Sequence, residues 1–198
     1  MKQLADQLPD VLGPVRDFYV SALLEALATE LDGGADVDPE PVDRDVDGRV
    51  RRRTPLNLPM RHDLRVRRAG RTALRGVPGV SGLRFAPVSG PITETVAARI
   101  APFSWGAVEI VTRCAVSAPN WTPLRLWFLE WFQARYGEES PDLLGVAHRV
   151  EGPAPTQGGW RFTVDLGSAS APCFMAMLDA FGRAGCAEIR IGETETAL

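Results

Sequence analysis

The chain has 198 residues, 45% of them apolar and 24% charged. That is the size and balance of one compact globular unit or a small domain with an appendage, and it excludes a collagen, a coiled-coil rod and a wholly disordered protein. The net charge of −3 hides a segregation: residues 1–48 hold 12 acids against 3 bases, residues 49–84 hold 11 arginines against the single acid Asp63, and residues 85–198 hold 12 acids against 8 bases.

In chain order, Leu12, Val15, Tyr19, Leu23 and Leu27 recur at the three- and four-residue spacing of an amphipathic helix, which predicts a helix over 9–31 that Gly33 and Gly34 end. Residues 32–48 combine seven acids with two prolines and no apolar period, the composition of an exposed acidic linker. The arginine-rich stretch 49–100 reads as an irregular mixture of α and β, with a short strand at 63–68, turns at 78–90 and a short helix at 92–100. Residues 107–114 alternate as a half-buried strand, and a helix over 124–136 follows, opened by Asn120, Thr122 and Pro123 and closed by Gly137. Strands at 143–150 and 160–166 make a hairpin through the turn-rich 151–159, a helix follows Ser170, and Ala187, Ile189 and Ile191 mark a last strand.

Strand, helix, strand, strand, helix, strand over 101–198 is the split β-α-β, ferredoxin-like arrangement, so the fold class is α+β. Its first and third strands should be central in one antiparallel sheet. Within it, the helix from Leu124 is apolar on two sides. Trp127 and Trp131 lie on one stripe and Phe132 and Tyr136 on the other, a surface that asks for a second cover from the N-terminal helix or from a partner.

Of the 22 basic residues only Lys2 is a lysine, a bias that points to a GC-rich coding sequence rather than a choice of guanidinium at each site. Cys114, Cys173 and Cys186 are odd in number and lack metal-ligand spacing, so neither a disulfide framework nor a zinc site is expected. The N-terminus lacks the apolar core of a signal peptide, and no window is apolar enough for a membrane span. Together these imply a soluble, cytoplasmic, bacterial protein without a cofactor.

Asp43, Asp45 and Asp47, followed by Gly48 and by Val50 two residues later, resemble the calcium loop of the EF-hand family, in which acids at the first, third and fifth positions supply oxygen ligands. The resemblance covers one twelve-residue loop. Thr54 stands where that family has a bidentate Glu, and Arg49, Arg51, Arg52 and Arg53 add positive charge, so an acidic linker is the stronger reading and no metal is expected.

Arg51, Arg52, Arg53, Arg65, Arg67, Arg68 and Arg71 could neutralise the phosphates of a polyanion or RNA. The acids just before them make self-neutralisation the simpler expectation. Gly159, Trp160, Arg161 and Phe162 fall in the third strand, where the RNA-recognition-motif family carries stacking aromatics. Here Trp160 and Phe162 share their phase with Val164 and Leu166, which makes them core residues.

For catalysis the chain offers only His62, His148 and Cys173. His148 shares an apolar phase with Leu144, Val146 and Val150 and reads as a hydrogen-bonded core histidine, while Cys173 stands in the first turn of a helix, where the dipole favours a thiolate. No nucleophile elbow, phosphate loop or dinucleotide fingerprint is present. The expected function is therefore a non-enzymatic protein-interaction or assembly module, with a protein partner or a homo-oligomer; the alternatives are a polyanion-binding protein and a small enzyme using Cys173 or His148.

Overall fold

A computed structural model describes residues 4–77, 83–133 and 142–192. They form a mixed α+β fold with three helices and several sheets. The first element, α1 (Leu4–Asp32), is six residues longer than the apolar spacing predicts, five of them at its N-terminus. Leu4, Leu8, Leu12, Val15, Tyr19, Leu23 and Leu27 form a continuous buried stripe along it. Pro9 and Pro14 lie inside it, so tertiary burial rather than intrinsic propensity holds the first turns helical.

Residues 36–39, expected to stay in a solvated connector, form β1 (Asp36–Pro39). Next come β2 (Arg52–Arg53), β3 (Leu58–Pro59), β4 (Leu64–Arg68) and β5 (Arg71–Arg75). β2 pairs with β3, and β1, β4 and β5 make a three-stranded antiparallel sheet in that order. The β1–β4 register sets Asp36 opposite Arg67 and Asp38 opposite Arg65, so acids that looked like a linker become cross-strand partners of the arginines. Ala69 and Gly70, both at positive φ, turn β4 into β5, the geometry of a two-residue hairpin turn.

The larger sheet has six strands: β6 (Val88–Pro91), β7 (Ala97–Ile100), β8 (Val108–Cys114), β9 (Arg149–Thr156), β10 (Gly159–Asp165) and β11 (Cys186–Ile191). Their order is β6-β7-β11-β8-β10-β9. The pairs β11–β8, β8–β10 and β10–β9 are antiparallel, and β7 runs parallel to β11. α2 (Thr122–Phe132) follows β8 and α3 (Ala171–Arg183) follows β10. Trp127 and Phe128 of α2 and Phe174 and Phe181 of α3 belong to the same buried cluster as Ile110 of β8 and Phe162 of β10, and so does the stripe of α1.

Further elements differ from expectation: α2 begins at Thr122 and stops at Phe132, where Gln133 turns extended, rather than running over 124–136. The short helix expected over 92–100, with Ser89 as its cap and Glu94 in its first turn, does not form; instead Ala97–Ile100 is a strand with Ala98 and Ile100 buried and Ala97 and Arg99 exposed. The open edge of β11 supplies the partners that a helix would have found within itself. The strand expected over 143–150 pairs only from Arg149 and then runs through the prolines at 153 and 155, where a turn was expected. Because β9 is an edge strand, missing N–H groups are tolerated there.

Phe128 is wholly buried, whereas Leu126 on the same helix is 62% exposed. Phe128→Ala should therefore cost about 3–5 kcal/mol and Leu126→Ala less than about 1 kcal/mol, measured by urea unfolding.

Candidate functional site

Residues 144–148 do not pair as a strand, and their N–H groups go elsewhere. Leu144 N donates to Glu40 Oε2 (2.6 Å), Gly145 N to Ser168 Oγ (2.8 Å), Ala147 N to the Trp131 carbonyl and His148 N to the Asp165 carbonyl (both 2.9 Å). This irregular segment threads His148 into the interior, where its side chain has no solvent exposure. His148 Nε2 lies 2.8 Å from Glu40 Oε1, and that oxygen also accepts Ser168 N at 3.0 Å. Glu40 is fully buried and holds a left-handed φ of 50°, a backbone cost the surrounding bonds must offset.

On the other side of the ring, Nδ1 is 3.1 Å from Asp63 Oδ1 and 3.7 Å from Asp165 Oδ1. It aligns with neither for a hydrogen bond. Asp63 accepts the Tyr19 hydroxyl at 2.7 Å and the Val77 N–H, and Asp165 Oδ1 accepts Gly167 N at 3.0 Å. Arg61 donates to the carbonyls of Glu40 (2.6 Å) and Phe132 (3.1 Å) and lies over the Phe132 ring. Chain positions from 19 to 165 thus meet around one imidazole.

The electrostatics follow from burial opposed by partners. Burial works against a charged ring, but the carboxylates of Asp165, Asp63 and Glu40 outweigh it and raise the His148 pKa well above its ordinary value. Burial likewise works against charge on Glu40 and Asp63. His148 nevertheless holds Glu40 below the usual carboxylate range through its hydrogen bond and charge, and the nearby His148 charge with the Tyr19 and Val77 donors does the same for Asp63. Tyr19 is pushed up by burial and by the neighbouring acids, so it stays a hydroxyl that donates.

The network opens on one side. A cleft of about 360 Å³ is lined by Asp63, Asp165 and Tyr19 together with Arg61, His62, Arg75 and Arg149. Among the described residues, the Asp63, His148 and Asp165 ligand atoms form a group within 4.8 Å of one another.

The other sequence candidates lie elsewhere. Cys173 is buried in the first turn of α3 and its carbonyl accepts Trp127 Nε1 at 3.0 Å. Asp43 is buried beside Arg51 (4.0 Å), Arg53 (3.8 Å) and His62 (3.7 Å); Asp45 Oδ1 accepts the N–H groups of Asp47 and Arg49, and Asp47 pairs with Arg49. Arg65 and Arg67 pair with Asp38, Arg67 also with Asp36, and Arg68 with Glu30. Arg52 donates to the Asn57 carbonyl, and Arg71 is exposed on β5. Trp127 is buried, Trp131 and Phe132 are half-buried, and Tyr136 lies outside the described residues. Glu40 carried no signal in the sequence beyond standing between two prolines, and Asp165 looked like the polar phase of a strand. No family model, curated protein or solved structure matches the chain.

Gly167 has a φ of 52°, and a Cβ there would lie 2.4 Å from His148 Cδ2 and 2.5 Å from the Val146 carbonyl oxygen; Gly158, at a φ of 84°, has open space around it. Gly158→Ala should cost about 1 kcal/mol through backbone conformation alone. Gly167→Ala should cost about 2–4 kcal/mol in the same thermal or urea assay, because it also displaces the ring.

Proposed function

We propose that the chain is a non-enzymatic protein-interaction module whose C-terminal body follows the ferredoxin-like plan, and that it receives an acidic, extended segment of a partner protein on the outer edge of β5. The β11-β8-β10-β9 order with antiparallel neighbours and intervening helices supports the plan. The interaction reading rests on β5 itself, which is the edge of its sheet and exposed at all five residues.

An edge strand presents unpaired backbone donors and acceptors to any strand that can lie beside it. Arg71 and Arg75 share this strand with Leu74, which is 49% exposed; Arg71 is exposed, and Arg75 Nε lies 3.9 Å from Glu30. An antiparallel second copy centred on Ala73 would set Arg71 against Arg75 of its mate, a like-charge pair that disfavours self-pairing. An acidic strand meets the same positions with opposite charge. The aromatic face of α2 offers less, because Trp127 and Phe128 are buried within the chain. Most of the arginines that would serve a polyanion already face Asp36, Asp38, Asp43 or Glu30.

A labelled peptide of alternating Glu and Val should bind the full chain, with affinity falling as salt is raised. The double substitution Arg71→Glu and Arg75→Glu should abolish that binding and create binding of a Lys-Val peptide. Equal binding of both peptides by the parent, or an unchanged preference in the variant, would remove this reading.

A further inference from the structure

The His148 ring is held as a histidine that ligates a metal is held. Its Nε2 side is fixed by a buried carboxylate, Glu40 Oε1 at 2.8 Å, the partner that orients a ligating imidazole and leaves the other nitrogen to the metal. That other nitrogen, Nδ1, is buried, makes no hydrogen bond and is aimed between Asp63 Oδ1 and Asp165 Oδ1. We propose that Asp63, Asp165 and His148 Nδ1 form a binding site for a divalent cation that accepts mixed oxygen and nitrogen ligands, such as Zn²⁺ or Mn²⁺.

Three observations carry the assignment. The spacing fits: bonds of about 2.0–2.1 Å to a tetrahedral cation place neighbouring ligand atoms about 3.3 Å apart, and Nδ1 stands 3.1 and 3.7 Å from the two carboxylate oxygens. The charge fits too. Three carboxyl groups, Glu40, Asp63 and Asp165, face one imidazole and the Arg61 guanidinium, while Arg75 and Arg149 of the cleft lining pair with Glu30 and Glu151. With a neutral ring, a doubly charged cation balances the group, whereas the proton at Nδ1 that it displaces leaves one negative charge over.

The third observation is access. Asp63 and Asp165 line the 360 Å³ cleft, so the cation has an entry path and a side left open for water or an anionic group. The donor set separates cation classes: two carboxylates suit Mg²⁺ or Mn²⁺, and the imidazole shifts preference toward Zn²⁺ and Mn²⁺. The site shares no ligand with the proposed β5 interface, so the two readings fail separately.

The test is calorimetric titration of the full chain, pretreated with chelator, with ZnCl₂ and MnCl₂, alongside Asp165→Asn and Glu40→Gln. We expect one cation per chain and a weakening of about 10- to 100-fold in each variant. Mn²⁺ should also broaden the His148 ring resonances in the unaltered protein, a readout that does not depend on any variant folding. Absence of binding by either cation up to millimolar concentration, binding that Asp165→Asn leaves unchanged, or His148 resonances that Mn²⁺ does not touch would overturn the proposal.

Discussion

The contact between the His148 imidazole and the Glu40 carboxylate joins residues 108 positions apart with no solvent exposure on either side chain. In such a place an ion pair has few neutral outcomes. Taking two charges from water is costly, and only good geometry with every lone pair engaged offsets that cost. Glu40 comes close to the condition, because its two oxygens accept three donors, His148 Nε2, Ser168 N and Leu144 N. The same bonds fix residues 144–148, which cannot then pair as a strand, so β9 starts only at Arg149. They also hold Glu40 in its left-handed conformation at the end of β1. The neighbouring bonds of Arg61, from its backbone N–H to the His148 carbonyl and from its guanidinium to the Glu40 and Phe132 carbonyls, continue the same tie.

Charge segregation along the chain takes a structural form through this tie. The acidic and arginine-rich segments lie side by side as β1 and β4, and the register faces Asp36 and Asp38 with Arg67 and Arg65. These ion pairs are partly or largely exposed, so each contributes little to stability by itself. Their effect is on register and on what remains uncovered. With β4 occupied by β1 on one side, β5 becomes the free edge, and its arginines are Arg71, exposed at the start of the strand, and Arg75, which lies beside Glu30.

Much of the fold was legible wherever one residue pattern served one purpose. The stripe of α1 from Leu12 to Leu27, the alternation of β8, the phase of Trp160 and Phe162 in β10 and the stripe of α3 all appear as periodicity, because each element buries one face against one core. β7 was not legible, since Ile92, Val96 and Ile100 satisfy a helical period while the deciding partner, β11, lies about 90 residues on. His148 was legible as a buried, hydrogen-bonded residue, but its environment was not. Glu40, Asp63 and Asp165 sit in segments that sequence assigns to a linker, to the beginning of a short strand and to the exposed phase of another, and only the tertiary fold brings them to one ring. A polar residue surrounded by prolines carries no periodicity, so nothing local distinguishes Glu40 from its solvated neighbours.

Glu40 and His148 act as a unit that holds the N-terminal segments to the larger sheet. A double-mutant cycle by urea unfolding, with Glu40→Gln, His148→Gln and the pair together, measures that coupling directly. Each single substitution should cost about 3–5 kcal/mol, because it leaves a buried partner uncompensated. The double variant should be more stable than the sum of the two losses implies, by at least about 2 kcal/mol. Losses that simply add, within about 0.5 kcal/mol, would mean that the two residues stabilise the fold independently and that the pair is not the tie between the segments.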